Sequence, residues 1–494
     1  MNSTLLGIDL GTSGCKVSAF DLAGQELASS RAAYSLDTSS PGQAILDPLQ
    51  VWKAVRESIQ ACAAQLRQSH QPAPAALAVT ALGEAVTAVD QKGQPLGETL
   101  TAFDFRGERD CRWLAEQLGA ENIYQRTGVV PHPMFTASKL LWWARSRPEL
   151  WRQSWRFLDW TALANLWLCG QPVTDYSHAC RTMLFRPKDQ RWDEELLTLT
   201  KLEAERLPIT RPAGSLLGPV RRELAQELGL SPHTQVVVGG FDQACADLGC
   251  GVVEPGQACD SLGTTSCLTV VSARAECRPA LQVGQYMSLC HVVPQRFLVL
   301  GGSLNGTIVL RWWSERCPEI APTALDSLPL EPSPVLCLPH LAGAGQPWGD
   351  PRSKGAILGL TLSSSGADIA AALAQGIIQE LRYNLDRLSQ ILGPITEIRT
   401  VGGAARSQYW LELKAAICQR KILRPREVEA TSLGAAILAA LGIQAFPTVQ
   451  AAVEHMVAIE QQLCPDPARG ATFSRQSALF NRVYDTLKDL LHEL

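Results

Sequence analysis

Glycine followed by hydroxyl residues, set between two strands, is an arrangement that can hold phosphate, and this chain carries it twice. Residues 7–21 read GIDLGTSGCKVSAFD and residues 258–272 read ACDSLGTTSCLTVVS, so the same Leu-Gly-Thr turn recurs about half a chain apart. A turn of this kind exposes backbone N–H groups, lets an anion approach because glycine has no Cβ, and adds hydroxyl donors. Gly11, Thr12 and Ser13 in the first copy and Gly263 and Thr264 in the second could grip a triphosphate from two sides of a cleft. Asp9, just ahead of the first turn, suits a hydrated Mg²⁺, which takes one or two carboxylates together with water and phosphate oxygens. Lys16 stands where it can neutralise nearby charge. One such turn is an ordinary tight hairpin; two at matching places in two similar halves point to a duplicated phosphate-holding device. The chain has no GxxxxGK[ST] motif, and its Gly239-Gly240 and Gly402-Gly403 pairs lack the GxGxxG spacing of a dinucleotide fold. Gly402-Gly403 does end a strand-like run before a helical one, a geometry in which a flat ring or a phosphate can rest on the backbone.

The elements that must position these residues alternate in type. Leu5 to Leu10, Lys16 to Leu22 and Glu26 to Tyr34 read as an antiparallel meander. Apolar residues at helical spacing follow around Leu49 to Leu66, then a strand from Leu77 to Val89 interrupted by GEA, and a helical stretch from Glu121 to about Asn165. QVVVGG at 235–240 is a buried, parallel-type strand, and a second meander spans 258–300. A long amphipathic helix from Gly366 to Leu392, a strand ITEIRTVGG, a helix from about Ser407 to Arg420 and an Ala-rich helix from Leu433 to Leu441 complete the pattern. Both halves are α/β units that open with a meander, and the boundary is expected near 240–245.

Composition narrows the partners. The 494 residues are 46% hydrophobic and carry a net charge of −4 without a run of Lys or Arg, which argues for a multidomain protein and against nucleic acid as its main partner. No apolar stretch of about 18 residues predicts a membrane span, and the N-terminus enters a strand without a charged leader, so a cytoplasmic protein is expected. The 15 cysteines are scattered singly, with no CxxC pair or His/Cys cluster at zinc spacing, and read as small core residues rather than disulfides or metal ligands. His132, His178 and His340, and pairs such as Trp142-Trp143, read as structural.

The motifs taken together resemble the FGGY carbohydrate kinases. The resemblance runs over the whole chain: IDLGTSGCKVSAFD, ILDP at 45–48, TGVVPHPMFTASKLLWW, VTDYSHACRTMLF, GGFDQA at 239–244, SLGTTS at 261–266, KGAILGLTLSSSGADIAAALAQGIIQE at 354–380, VGGAARS at 401–407 and SLGAAILAALG at 432–442. It implies an α/β fold of two ribonuclease-H-like (actin/hexokinase-like) domains, residues 1–242 holding sugar and part of the phosphate site and residues 243–494 holding ATP, with the active site in the cleft between them. It implies Asp242 as catalytic base and, with Asp9, as Mg²⁺ ligand. Thr12 and Ser13 would reach the β- and γ-phosphates, Gly263 and Thr264 the γ-phosphate from the other domain, and Gly402, Gly403 and Ala404 the adenosine. Glu84 and Gln243 would hold substrate hydroxyls.

Departures from the pattern bear on the substrate. Glycerol kinases carry Arg-Glu where this chain has Gly83-Glu84, Trp where it has Ala102 and Tyr where it has Met134, so the resemblance implies a pocket emptied of three bulky contacts. Xylulokinases usually carry Gln-Met-His where this chain reads Leu82-Gly83-Glu84. Asp104 and Arg106 are expected to pair structurally. The expected activity is ATP-dependent phosphorylation of a pentulose such as xylulose or ribulose. A longer polyol, a sugar acid, or a sensor of the same fold that binds sugar and ATP without turnover are the alternatives, and a homodimer is allowed for.

Overall fold

The computed structural model describes residues 3–317, 328–427 and 429–494. The opening residues form β1 (Thr4–Leu10), β2 (Gly14–Phe20) and β3 (Glu26–Ala33), the antiparallel meander that the alternation predicts. Leu5, Leu6, Ile8 and Leu10 are all buried, so β1 is covered on both faces. Asp47 caps α1 (Pro48–Gln68) by accepting from the N–H groups of Leu49 and Gln50, and Pro48 supplies the preset φ of a first helical residue. α1 lies against β2 and β3. The chain then enters β4 (Pro74–Ala81), parallel to β1.

The strand expected from Leu77 to Val89 ends instead at Ala81. Glu84 takes a left-handed backbone with φ of 60°, which breaks the extended run, and Thr87–Val89 pairs with Arg156–Leu158 in a separate ribbon. That second segment also interrupts the stretch expected to be helical from 121 to 165; α2 (Thr136–Ser146) is one of the helices on its N-terminal side. α3 (Tyr176–Cys180) is a single turn capped by Asp175. β5 (Leu216–Pro219) and β6 (Gln235–Phe241) complete a sheet of order β5-β6-β4-β1-β2-β3, and α4 (Asp242–Gly249) leaves from the end of β6.

The second sheet is built the same way. β7 (Gln257–Leu262), β8 (Ser266–Ser272), β9 (Met287–Cys290), β10 (Phe297–Ser303), β11 (Glu397–Val401), β12 (Lys421–Pro425) and β13 (Ile459–Leu463) take the order β9-β10-β8-β7-β11-β12-β13. In each sheet a hairpin, β1–β2 or β7–β8, has its first strand parallel to a later one, β4 or β11, and its second strand antiparallel to a third, β3 or β10. The repeated turn is therefore a repeat of topology. Among the helices, α5 (Gly366–Leu392) opens on a capping box of Ser365 and Asp368 and matches its expected bounds, followed by α6 (Gln408–Cys418) and α7 (Ala430–Gly442).

α7 explains its own alanines. It packs on α4 and across β1, β4 and β6, so a helix from late in the sequence covers the first sheet. A Cβ at Gly7 would lie 1.8 Å from the Ser432 carbonyl oxygen, one at Gly249 1.9 Å from that of Ala430, and one at Gly434 1.8 Å from that of Cys245. Only glycine permits these backbone approaches. α4 also touches the second sheet, where Thr269 Oγ1 of β8 donates to Asp247 at 2.6 Å. All 15 cysteines are free and most are buried. Asp247, Cys250 and Cys259 nonetheless converge, with their ligand-type atoms within 4.8 Å, a cluster that no local spacing announces.

Candidate active site

Strand direction brings the two aspartates together. β1, β4 and β6 run parallel, so their C-terminal ends share one edge, with Asp9 and Gly240 both in register with Thr80 on the strand between them. Asp242 follows as the first residue of α4 and accepts from the Gln243 N–H at 2.6 Å. Burial and then the Asp242 charge push the Asp9 carboxyl up to about 7. Burial pushes Asp242 up to about 6, against the pull of the Gln243 N–H, His178 and Arg181. Among the described residues neither carboxylate forms an ion pair; the charges of Lys16 and Arg31 act on Asp9 and those of His178 and Arg181 on Asp242 without offsetting burial, so a cation shared by the two would be favoured.

α3 is docked against this edge. Asp175 accepts from the Ser177 and His178 N–H groups, and Ser177 Oγ accepts from the Phe241 N–H at 2.9 Å. Gly240 is what lets the two segments meet, since a Cβ there would lie 2.3 Å from Val292 Cγ1 and 3.2 Å from Ser177 Oγ. His178 lies buried beside Asp175, 3.3 Å from Nδ1 to Oδ1. Burial opposes its protonation, but the Asp175 hydrogen bond and the charges of Asp159, Asp175 and Asp242 hold it above the usual histidine range.

The substrate-side residues correct the idea of an emptied pocket. A Cβ at Gly83 would meet Phe241 Cε2 at 2.8 Å and Arg181 Nε at 3.1 Å, so the room left by that glycine is taken by a ring and a guanidinium. Arg181, at the C-terminus of α3, is paired with Glu84, and both side chains are about 4% exposed. Glu84 is thus a buried, paired carboxylate. Lys139 of α2 is buried as well and donates to the carbonyl oxygens of Glu84, at 3.1 Å, and of Met134, tying the two segments together; burial lowers its ammonium to about 7. Met134 is half-buried, as is Gln243. Ala102 sits on a turn whose neighbour Thr101 donates to Ala44 O at 2.9 Å and whose Asp104 holds Arg106, with Nη2 to Oδ2 at 2.7 Å. Asp104 and Arg106 pair as expected, the guanidinium resting 4.3 Å from the Trp142 ring centre.

Both Gly-Thr turns have their carbonyl oxygens engaged from behind. The Tyr34 hydroxyl lies 2.7 Å from Gly11 O and 2.9 Å from Gly14 O. At the second turn Thr307 donates to Gly263 O from its N–H at 2.8 Å and its Oγ1 at 2.9 Å, and the Gly306 N–H reaches Thr264 O at 3.1 Å. Oxygens that would repel a phosphate are pinned, while Ser13 and Thr264 are exposed and Thr12 half-exposed. Gly402, with φ of 82°, approaches the second turn: a Cβ there would lie 3.2 Å from Leu262 O, whereas one at Gly403 would meet open space. Ala404 is buried behind them. Lys16 lies where its charge acts on Asp9, as expected, but its ammonium is also held by Glu26 at 3.2 Å and Glu429 at 3.1 Å, and Glu429 pairs with Arg31 as well. Sequence reasoning passed over Arg181, Lys139, Tyr34 and Glu429; each acts through a partner far along the chain, and only Arg181 and Lys139 lie in stretches that the motifs marked.

Comparison with known proteins gives the family and the fold. Residues 4–249 match the model for the N-terminal domain of the FGGY family of carbohydrate kinases and residues 259–443 that for its C-terminal domain. The chain belongs to the FGGY family of carbohydrate kinases. It is an enzyme that phosphorylates a sugar with ATP, and its fold is the two-domain actin/hexokinase-like one. It is 28% identical to the xylulose kinase of Staphylococcus epidermidis, over all of this chain and 99% of that one. It is 27% identical to the gluconokinase of Bacillus licheniformis, over 89% and 87% of the two. The crystal structure of a kinase from Brucella ovis, titled a xyloylose kinase, superposes with a TM-score of 0.90 at 27% identity, covering 99% of this chain and all of that one. Among the described residues no helix is long and apolar enough to cross a membrane.

Proposed function

We propose that the sugar is a pentulose, xylulose or ribulose, and that Asp242 is the base. The base is supported most by the convergence of Asp9 and Asp242 at one sheet edge, with the Asp242 carboxyl raised to about 6, near the range where a base accepts a proton readily at neutral pH, and the pentulose by the 28% identity to a xylulose kinase over the whole chain. Asp242 would take the proton of the acceptor hydroxyl as its oxygen bonds to the γ-phosphorus and the bond from phosphorus to the ADP oxygen breaks. Gly11, Thr12 and Ser13 would meet the β- and γ-phosphates from one side, and Gly263 and Thr264 from the other. Gly402, Gly403 and Ala404 would carry the adenosine. Residues 1–242 would then hold the sugar and part of the phosphate site, and 243–494 the ATP.

Asp9 and Asp242 fit Mg²⁺, being crowded carboxylates that stay raised despite the charges of Lys16, Arg31, His178 and Arg181 and that make no ion pair among the described residues. When bound, the ion would supply positive charge to the phosphates. Lys16 is better read as a tie between segments than as a phosphate contact, since Glu26 and Glu429 hold its ammonium. Glu84 and Gln243 would hold sugar hydroxyls beside Gly83 and Met134, and Ala102 would border that region. Asp242→Asn keeps size but removes the proton acceptor, so ADP release should fall by about 10²-fold or more while thermal stabilisation by the sugar survives. Activity within a few-fold of the parent would remove Asp242 from the mechanism.

A further inference from the structure

Where α4 meets the second sheet, the chain gathers ligand-type side chains that the reaction above does not use. Asp247 and Cys250 stand at the C-terminal end of α4, Cys250 as its cap, and Cys259 lies on β7; all three are buried. Their carboxylate and thiol atoms lie within 4.8 Å of one another, and among the described residues no other three such groups converge. Thr269 Oγ1 donates to Asp247 Oδ1 at 2.6 Å, which orients the carboxyl group, while the buried Oδ2 has no hydrogen-bond partner among the described residues. We propose that Asp247, Cys250 and Cys259 hold one Zn²⁺ ion, a structural metal that ties the helix carrying the expected base to the second sheet.

The donor set selects the metal. Thiolates are soft ligands that Mg²⁺ and Ca²⁺ avoid, whereas Zn²⁺ takes cysteine and aspartate together. Ligand atoms on a tetrahedral zinc stand about 3.3–3.8 Å apart, given bonds of about 2.3 Å to sulfur and about 2.0–2.2 Å to oxygen, so no edge of the cluster is more than about 1.5 Å too wide. A single ion needs only the space between its ligands, and structural zinc sites are closed to solvent. Thr269 takes the outer part that a metal-bound carboxylate calls for, a hydrogen bond to the oxygen facing away from the ion. The Asp247 carbonyl oxygen, 3.3 Å from Cys250 Sγ, can complete a fourfold set. Binding balances by proton release: the metal–ligand bonds form as two S–H bonds and one carboxyl O–H bond break, and the protons leave to solvent. The complex then carries a single negative charge, and Arg399, which pairs with Glu397, also places its Nη1 2.7 Å from the Cys250 carbonyl oxygen and sits level with Cys259 on β11.

Metal content tests this without reference to activity. The untagged, reduced full-length protein is stripped with a chelator, given Zn²⁺, desalted and analysed for bound metal, with Tm recorded before and after loading. The parent should retain about one zinc per chain, and Cys250→Ser and Cys259→Ser about a tenth of that or less, whereas Cys464→Ser, which removes the exposed cysteine, should retain as much as the parent. Co²⁺ in place of Zn²⁺ should give a thiolate-to-metal charge-transfer absorption that Cys259→Ser loses. Should the substitutions prevent folding, zinc-edge X-ray absorption of the loaded parent decides: two sulfur neighbours at about 2.3 Å support the site, and a shell of oxygen and nitrogen alone overturns it. A parent that keeps less than about a tenth of a zinc per chain overturns the proposal. So does metal that stays in the Cys250 and Cys259 variants or leaves with Cys464, which would mark it as a surface ion. Zinc held at the cluster should raise Tm, because it binds the folded chain, and a Tm that loading leaves unchanged overturns the structural role.

Discussion

Gly434→Ala should disable the enzyme from a position that touches no substrate. The added Cβ would lie 1.8 Å from the Cys245 carbonyl oxygen and 2.7 Å from its carbon. A carbon and a carbonyl oxygen settle no closer than about 3.3 Å, so α7 and α4 must part by roughly 1.5 Å at this point. Cys245 is three residues beyond Asp242 on a helix of 8 residues, and so short a helix moves as a unit. The expected base is therefore displaced by the order of 1 Å relative to β1 and Asp9, and a misplacement of that size costs about 10²-fold in rate. Overpacking should cost about 1–3 kcal/mol of stability, partly offset by the roughly 1 kcal/mol that alanine gains over glycine within a helix. Coupled ADP release would give kcat, and thermal unfolding with and without an ATP analogue would show whether the nucleotide still binds. The expected outcome is a kcat lowered by about 10²-fold with analogue binding retained. Parental kcat would show that the α4–α7 contact does not set the position of Asp242, and the reasoning would fail there.

Other perturbations test separate parts of the structure. Tyr34→Phe removes the hydroxyl that pins Gly11 O and Gly14 O, so the KM for ATP should rise by roughly 3–10-fold, the worth of about one hydrogen bond, and an unchanged KM would mean that the turn needs no support. Burial raises Glu380 from 4.5 to about 8, so the folded protein retains a proton that the unfolded chain gives up; its contribution to stability is full below about pH 4.5 and is lost as pH rises to about 8. Glu380→Gln should remove that loss, amounting to about 1.4 kcal/mol per pH unit within the window. Urea midpoints at pH 5 and pH 8 that shift equally in parent and variant would contradict it.

The sequence by itself determined what neighbours along the chain decide. Glycine and hydroxyl residues between apolar runs specify the turns at 11–14 and 263–265; the Ser365–Asp368 capping box and apolar periodicity specify a helix over Gly366–Leu392; the unbroken apolar run of QVVVGG specifies a strand buried on both faces. The matching of the two meanders was legible in the same way, while the family was legible only as a resemblance carried by motifs along the whole chain. Tertiary structure decided what depends on residues that meet across long stretches of chain. Glu84 and Arg181 are almost a hundred positions apart, and the sequence alone reads position 83 as empty space, because a glycine shows what is missing from its own side chain and nothing of what another segment brings there. Lys16 looks like a free cation beside a phosphate turn until the fold places Glu429 against it. The alanines and glycines of α7 read as a helix of small residues; that they let two backbones come within contact of β1 and α4, and so fix where Asp9 and Asp242 stand, follows from packing alone. Local propensities act over a few residues, whereas close approach and charge pairing depend on distances that only the folded chain defines.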